Sequence, residues 1–285
     1  MKRITALILL SAFVFLVPLV CKRLTHGFRI AKLSYRVDFD PKWDLKPESQ
    51  EKMQLVLRVL EQPLTYLGRG AQAFVFESAD HAYVVKLFRT APSMHPIRRY
   101  LRKYLVDKPD KIDRAVKLDA FFSACKLAYE NAPDLTGLVF LHLNPIEFTL
   151  PFATFRDAVG RSYRLDMNQY RFCIQYRGNT VTQAFRTADR ETGKKLIDSF
   201  AMLLKVRIDR QIRNMDRKVV SNFGFLKNNA IEWDFGNFRF DSNLQTNEAR
   251  QEEALRFIIP LRRQIAKDAP DNLMYFDQKV EEIFF

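Results

Sequence analysis

One stretch limits what this chain can become more than any other: Asn214 to Phe238, NMDRKVVSNFGFLKNNAIEWDFGNF. Its pattern predicts a loop, a short strand, a turn and a second strand. The loop carries Asp216 and Asn222, and the second strand runs out into Asp234-Phe235-Gly236. Where two neighbouring strands end together, these three oxygen-bearing side chains converge. A hard divalent cation takes carboxylate and amide oxygens, so the residue types suit magnesium and a phosphate chain.

A second stretch, Leu64 to Phe88, bears on the same chemistry. Its alternation and its β-branched and aromatic content predict two strands joined by a polar turn at Ser78-Ala79-Asp80-His81. Within the first expected strand lies Gly68-x-Gly70-x-x-Ala73-x-Val75, and Lys86 follows on the second. Glycines let backbone amides approach phosphate oxygens, and a lysine on the adjacent strand reaches the same group.

Composition sets the outer limits. The chain has 285 residues, 47% apolar and 28% charged, which excludes wholesale disorder and suffices for one large or two small folded units. Cys21, Cys125 and Cys173 form no disulfide framework, and four scattered histidines show no metal-ligand spacing, so zinc is not expected. The net charge of +13 is unevenly spread. Residues 1–36 hold seven basic residues and no acidic one, and residues 86–117 hold ten basic against three acidic. The remainder is close to neutral. A localised anionic partner is expected, most simply an anionic membrane surface. Nucleic acid is not the expected partner, because the aromatic and basic groove it needs is not evident.

The N-terminus reads as an anchor. Ile4 to Val20 is a 17-residue run without a charge, flanked by Lys2-Arg3 and Lys22-Arg23. As a helix it spans about 25 Å, close to a hydrocarbon core of about 30 Å, and the flanking cations extend it by snorkelling. Residues 1–24 are therefore expected to be a transmembrane anchor. A cleaved signal is the rival reading, although Pro18-Leu19-Val20 lacks the small residues a signal peptidase prefers. The basic flank that follows favours a domain kept on the cytoplasmic side.

Periodicity supplies the other elements. Helices are expected over residues 47–61, 110–132, 187–208, 247–267 and 271–285, and strands over 137–144, 163–168 and 171–176. Ile97, Tyr100, Leu101, Tyr104 and Leu105 line one face of a further helix, with Arg98, Arg99, Arg102 and Lys103 on the other. Such a basic amphipathic helix suits an anionic bilayer.

Glycine-rich hairpin, strand lysine, loop Asp and Asn, then Asp-Phe-Gly: in this order the chain resembles the protein-kinase-like superfamily, from Leu64 to Phe240. More narrowly, it is similar to short, membrane-anchored kinase-like proteins of intracellular bacteria, through Asn222–Phe225 and Gly137–Asn144. The resemblance implies an α+β, two-lobed protein-kinase-like fold with a mainly antiparallel N-lobe sheet and a reduced helical C-lobe. It divides the chain into a basic juxtamembrane linker (25–46), an N-lobe (47–177) with a basic amphipathic insertion at 89–109, and a C-lobe (178–285).

The resemblance also implies ATP and magnesium as cofactors. Gly68, Gly70, Ala73, Val75 and Lys86 would hold the nucleotide, and Asn222 and Asp234 the metal. Asp216 and Lys218 would serve catalysis, Asp216 by orienting or deprotonating an acceptor hydroxyl. Asp119 or Glu130 would pair with Lys86, and Gln175-Tyr176-Arg177-Gly178 would form the hinge. The chain departs from the family where Asn214 replaces a histidine, Met215 replaces an arginine and Asn222 falls one residue late. No Ala-Pro-Glu triplet follows, and only 49 residues come after Gly236. The expected function is an atypical kinase acting on a protein or small molecule near a membrane. The alternative is a pseudokinase that regulates partners through its shape.

Overall fold

The computed structural model describes residues 20, 23–33, 37–89, 110–216 and 219–285. The run Ile4–Leu19, the amphipathic helix expected at 97–105 and Lys218 lie outside the described residues. Among the described residues no helix is long and apolar enough to cross a membrane.

In chain order the elements are α1 (Gln50–Leu60), β1 (Leu64–Arg69), β2 (Ala73–Ser78), β3 (Tyr83–Phe88), α2 (Asp110–Asn131), α3 (Pro133–Thr136), β4 (Leu138–His142), β5 (Phe152–Arg156), β6 (Ser162–Asp166) and β7 (Phe172–Tyr176). They continue with β8 (Asn179–Thr180), α4 (Val181–Thr187), α5 (Arg190–Asp209), β9 (Ile212–Asn214), α6 (Val219–Asn222), β10 (Phe223–Leu226), β11 (Asn229–Glu232), β12 (Phe238–Phe240), α7 (Asn247–Asp268) and α8 (Leu273–Phe284). The protein is α+β with mixed strand pairing. Its chain forms two compact units, Met1–Phe39 with Glu48–Lys108 and Asn144–Phe172, and Asp40–Pro47 with Pro109–Leu143 and Cys173–Phe285.

In the first unit the strands run in the order β3-β2-β1-β5-β6. Neighbours are antiparallel except β1 and β5, which are parallel. The single strand expected across the two glycines is a hairpin instead: Gly70 N donates to Ala73 O at 2.9 Å and closes a turn between β1 and β2. Phe74, Phe76 and Phe155 are fully buried, and α1 buries Met53, Val56, Val59 and Leu60. The side chain of Ser49 caps α1 by accepting from Lys52 N, and Pro63 follows its end. Phe28 joins this core at 3% exposure, with ring centroids 5.1, 5.2 and 5.5 Å from Phe74, Phe76 and Tyr163. Leu33 is as well buried and bridges to Arg89. Part of the basic stretch 25–46 is therefore core material.

In the second unit α5 buries Leu196, Ile197, Phe200, Leu203 and Leu204. The helix expected over 187–208 is α5, Arg190–Asp209, and a separate short helix, α4, precedes it. Thr180 and Gln183 form a capping box for α4, which ends at Thr187, and Asp189 accepts from Thr192 N at 2.7 Å to start α5. The hairpin β10–β11 turns at Lys227-Asn228, with β8 paired to the other side of β10. Gly224 in β10 makes room for Trp233: a Cβ at this position would lie 1.9 Å from the indole.

Candidate functional site

The hairpin β10–β11 brings Asn222 and Asp234 together. Phe223 opposes Glu232 in the register, so Asn222 just before β10 faces the chain leaving β11. Asn222 O accepts from Trp233 N at 2.9 Å and from Asp234 N at 3.4 Å. Asn222 is 3% exposed, and its Nδ2 has no hydrogen-bond partner, while Oδ1 accepts from Ser221 Oγ at 3.3 Å. Turning the amide over exchanges these atoms at no cost in shape. Nδ2 then donates to Ser221, and Oδ1 takes the unpartnered position, as a ligand to a cation requires. With Asp234 the donor set is one amide oxygen and one carboxylate, a hard pair that fits magnesium.

Asn214 ties the remaining loop to this pair. It is fully buried; Nδ2 donates to Glu232 Oε1 at 2.7 Å and to Asp234 O at 3.4 Å, and Oδ1 accepts from Asp216 N at 2.8 Å. One side chain thus spans the loop of Asp216 and the strand of Asp234. Asn214 therefore has a positional job.

Beneath the loop lies a charge cluster that sequence reasoning missed. Arg207, Glu232 and Glu253 are each 0% exposed. Arg207 Nε is 3.1 Å from Glu232 Oε2, and Nη1 is 2.9 Å from Glu253 Oε1. Arg256 and Arg213 reach Glu253 Oε2 at 2.6 and 3.6 Å. Buried ions persist only when paired this closely. Burial pushes the Glu232 carboxyl up to about 7, against the opposing pull of Arg207 and Asn214. The sequence did hold a signal. Arg207 continues the apolar stripe of Phe200, Leu203 and Leu204, and Glu253 lies beside Ala254 on the stripe that runs through Phe257 and Leu261.

In the first unit the register pairs Gly68 with Val75 and Val75 with Lys86. Directly opposite residues share a sheet face, so three of the expected nucleotide contacts form one row across β1, β2 and β3. Ala73 is buried opposite Phe88, and Gly70 lies in the exposed turn. Arg89, three residues beyond Lys86, escaped the sequence reading. Its Nη1 donates to Gly70 O and Ala71 O, each at 3.2 Å. Burial and the nearby Arg69 hold the Arg89 pKa below its ordinary value. Among the described residues neither arginine forms an ion pair, so the glycine-rich turn carries a local positive field suited to phosphate.

Both acidic residues expected opposite Lys86 have other partners: Asp119 pairs with Lys42, and Glu130 lies 3.8 Å from Lys126. In the expected hinge, Gln175 is fully buried and donates to Thr136 O and, at 3.4 Å, to Trp233 O. The Gln175 amide thereby reaches the backbone one residue before Asp234.

Compared with known protein families, the chain matches no family model. Compared with curated proteins, it finds no match.

Proposed function

We propose that this protein is a two-lobed, kinase-like phosphotransferase that binds ATP with magnesium and acts on a protein or small-molecule hydroxyl near a membrane. One observation carries the reading: Asn222 and Asp234 meet at the open end of a hairpin, with Asn214 linking them to the loop of Asp216. A magnesium ion held by Asn222 and Asp234 would neutralise phosphate charge during transfer. The glycine-rich turn and Lys86 bind the phosphate chain. Asp216 orients the acceptor hydroxyl and takes its proton. The anchoring of residues 1–24 and the anionic membrane partner belong to the same proposal.

Thermal shift tests the nucleotide. ATP with magnesium should raise the melting temperature of the wild type by several degrees, and Asp234→Ala and Lys86→Ala should each abolish the rise. No shift in the wild type, with or without metal, refutes nucleotide binding. Catalysis is tested apart from it: Asp216→Ala should lower phosphotransfer at least ~100-fold while nucleotide affinity stays. ATP binding without turnover makes the regulatory, non-catalytic reading the correct one.

A further inference from the structure

The loop Asn214–Asp216 is held at almost every polar backbone group. Asn214 N donates to Glu253 Oε1 at 3.2 Å, and Asn214 O accepts from Arg256 Nη2 at 3.0 Å. Met215 N donates to Asn237 O at 3.1 Å. Asp216 N donates to Asn214 Oδ1 at 2.8 Å, and Asp216 O accepts from the same Arg256 Nη2 at 3.3 Å. Glu253 and Arg256 stand three residues apart on α7, joined at 2.6 Å. The acid grips the N–H of Asn214 and the base grips its C=O, then reaches on to the carbonyl of Asp216.

Chemistry explains why an arginine does this. Its planar fork presents several donors in fixed directions, so one side chain satisfies a carboxylate and two carbonyls at once. Arg256 is 26% exposed, whereas Arg207 behind it is 0% exposed. Arg207 is needed by the core, because its removal strands two buried carboxylates. Arg256 is different: without it Glu253 keeps Arg207, and the main loss is the grip on the loop.

We propose that Arg256, set by Glu253, is a positioning residue for Asp216. It fixes the backbone on which the catalytic carboxylate stands, from a helix that begins 31 residues later in the chain. The inference rests on the phosphotransfer reading for its kinetic consequence, and on the loop geometry alone for its structural one.

The full chain is compared with Arg256→Ala and Arg256→Lys. Misplaced catalytic groups lose rate while remote binding survives, so Arg256→Ala should lower kcat by ~30-fold or more, with the Kd for magnesium-ATP within about twofold. Arg256→Lys, which keeps a cation for Glu253 and for one carbonyl, should recover part of the rate. A kcat within about threefold of wild type in Arg256→Ala overturns the proposal. So does a loss of rate that merely follows a fall in melting temperature below the assay temperature and that Arg256→Lys does not repair. Amide hydrogen exchange decides the matter if the wild type binds ATP but turns nothing over, or binds none. Met215 and Asp216 should then exchange at least ~10-fold faster in Arg256→Ala, with α5 unchanged. Unchanged exchange of that loop overturns the clamp whatever the enzyme does.

Discussion

Glu232 is a carboxyl group out of reach of water, and its proton makes folding depend on pH. Its pKa of about 7 in the folded protein lies above the ordinary 4.5, because burial disfavours the charged form more than Arg207 and Asn214 favour it; Glu253 and Asp234 add to the rise. The folded state therefore holds the proton more tightly than the unfolded one. The contribution is fully present below about pH 4.5 and is lost as pH rises through about 7. With EDTA present, the melting temperature of the wild type relative to Glu232→Gln should be higher at pH 5 than at pH 8. Equal differences at both pH values would mean that Glu232 does not titrate in this range. Such a residue is hard to read from sequence, since glutamate and arginine are almost always exposed. Asp216, Asn222 and Asp234 stand out in the sequence because their chemistry and spacing are distinctive, and the hairpin brings Asn222 and Asp234 together. Glu232, Glu253 and Arg207, the buried cluster to which Asn214 is bonded, carry side chains that read as surface. Met215, exposed at 49%, has no visible task in the loop beyond its backbone.

At the level of elements, long helices with steady apolar stripes were readable to within a few residues. The helix expected over 247–267 is Asn247–Asp268 and passes through Pro260 without ending; 47–61 is Gln50–Leu60. Strand β5 was not anticipated. Its outward residues include Phe152, 55% exposed beneath the guanidinium of Arg164, so apolar and polar positions do not alternate as burial does. Strands β9 and β12 are three residues each and exist only by pairing with each other across 23 intervening residues. No local signal encodes that. The hairpin β10–β11 was anticipated, but not the reason for its glycine. Gly224 meets the Trp233 ring and the Asn179 carbonyl, so Gly224→Ala must push one of them away. The variant should lose about 1–3 kcal/mol in chemical denaturation and weaken the proposed magnesium-ATP binding through the displaced Trp233–Asp234 segment. Full stability in Gly224→Ala would show that the hairpin has slack the structure does not suggest.

For the molecule as a whole, the described chain is already folded just before Phe28: His26 N donates to Arg23 O at 3.2 Å and Phe28 N donates to Thr25 O at 2.9 Å. Removing residues 1–24 should leave its melting temperature unchanged, whereas removing residues 1–33, or Phe28→Ala, should cost about 3–5 kcal/mol by emptying a seat lined with aromatic rings. Equal stability of the two truncated forms would place Phe28 outside the core. The seat also sets a length. Seven residues, and so eight Cα–Cα steps, separate Val20, the end of the apolar run, from Phe28. Even fully extended, those eight steps span no more than about 29 Å. If the run lies in a bilayer, as proposed, the leash to Phe28 is no longer than the bilayer core is thick, and the proposed phosphotransfer is confined to acceptors at the membrane surface.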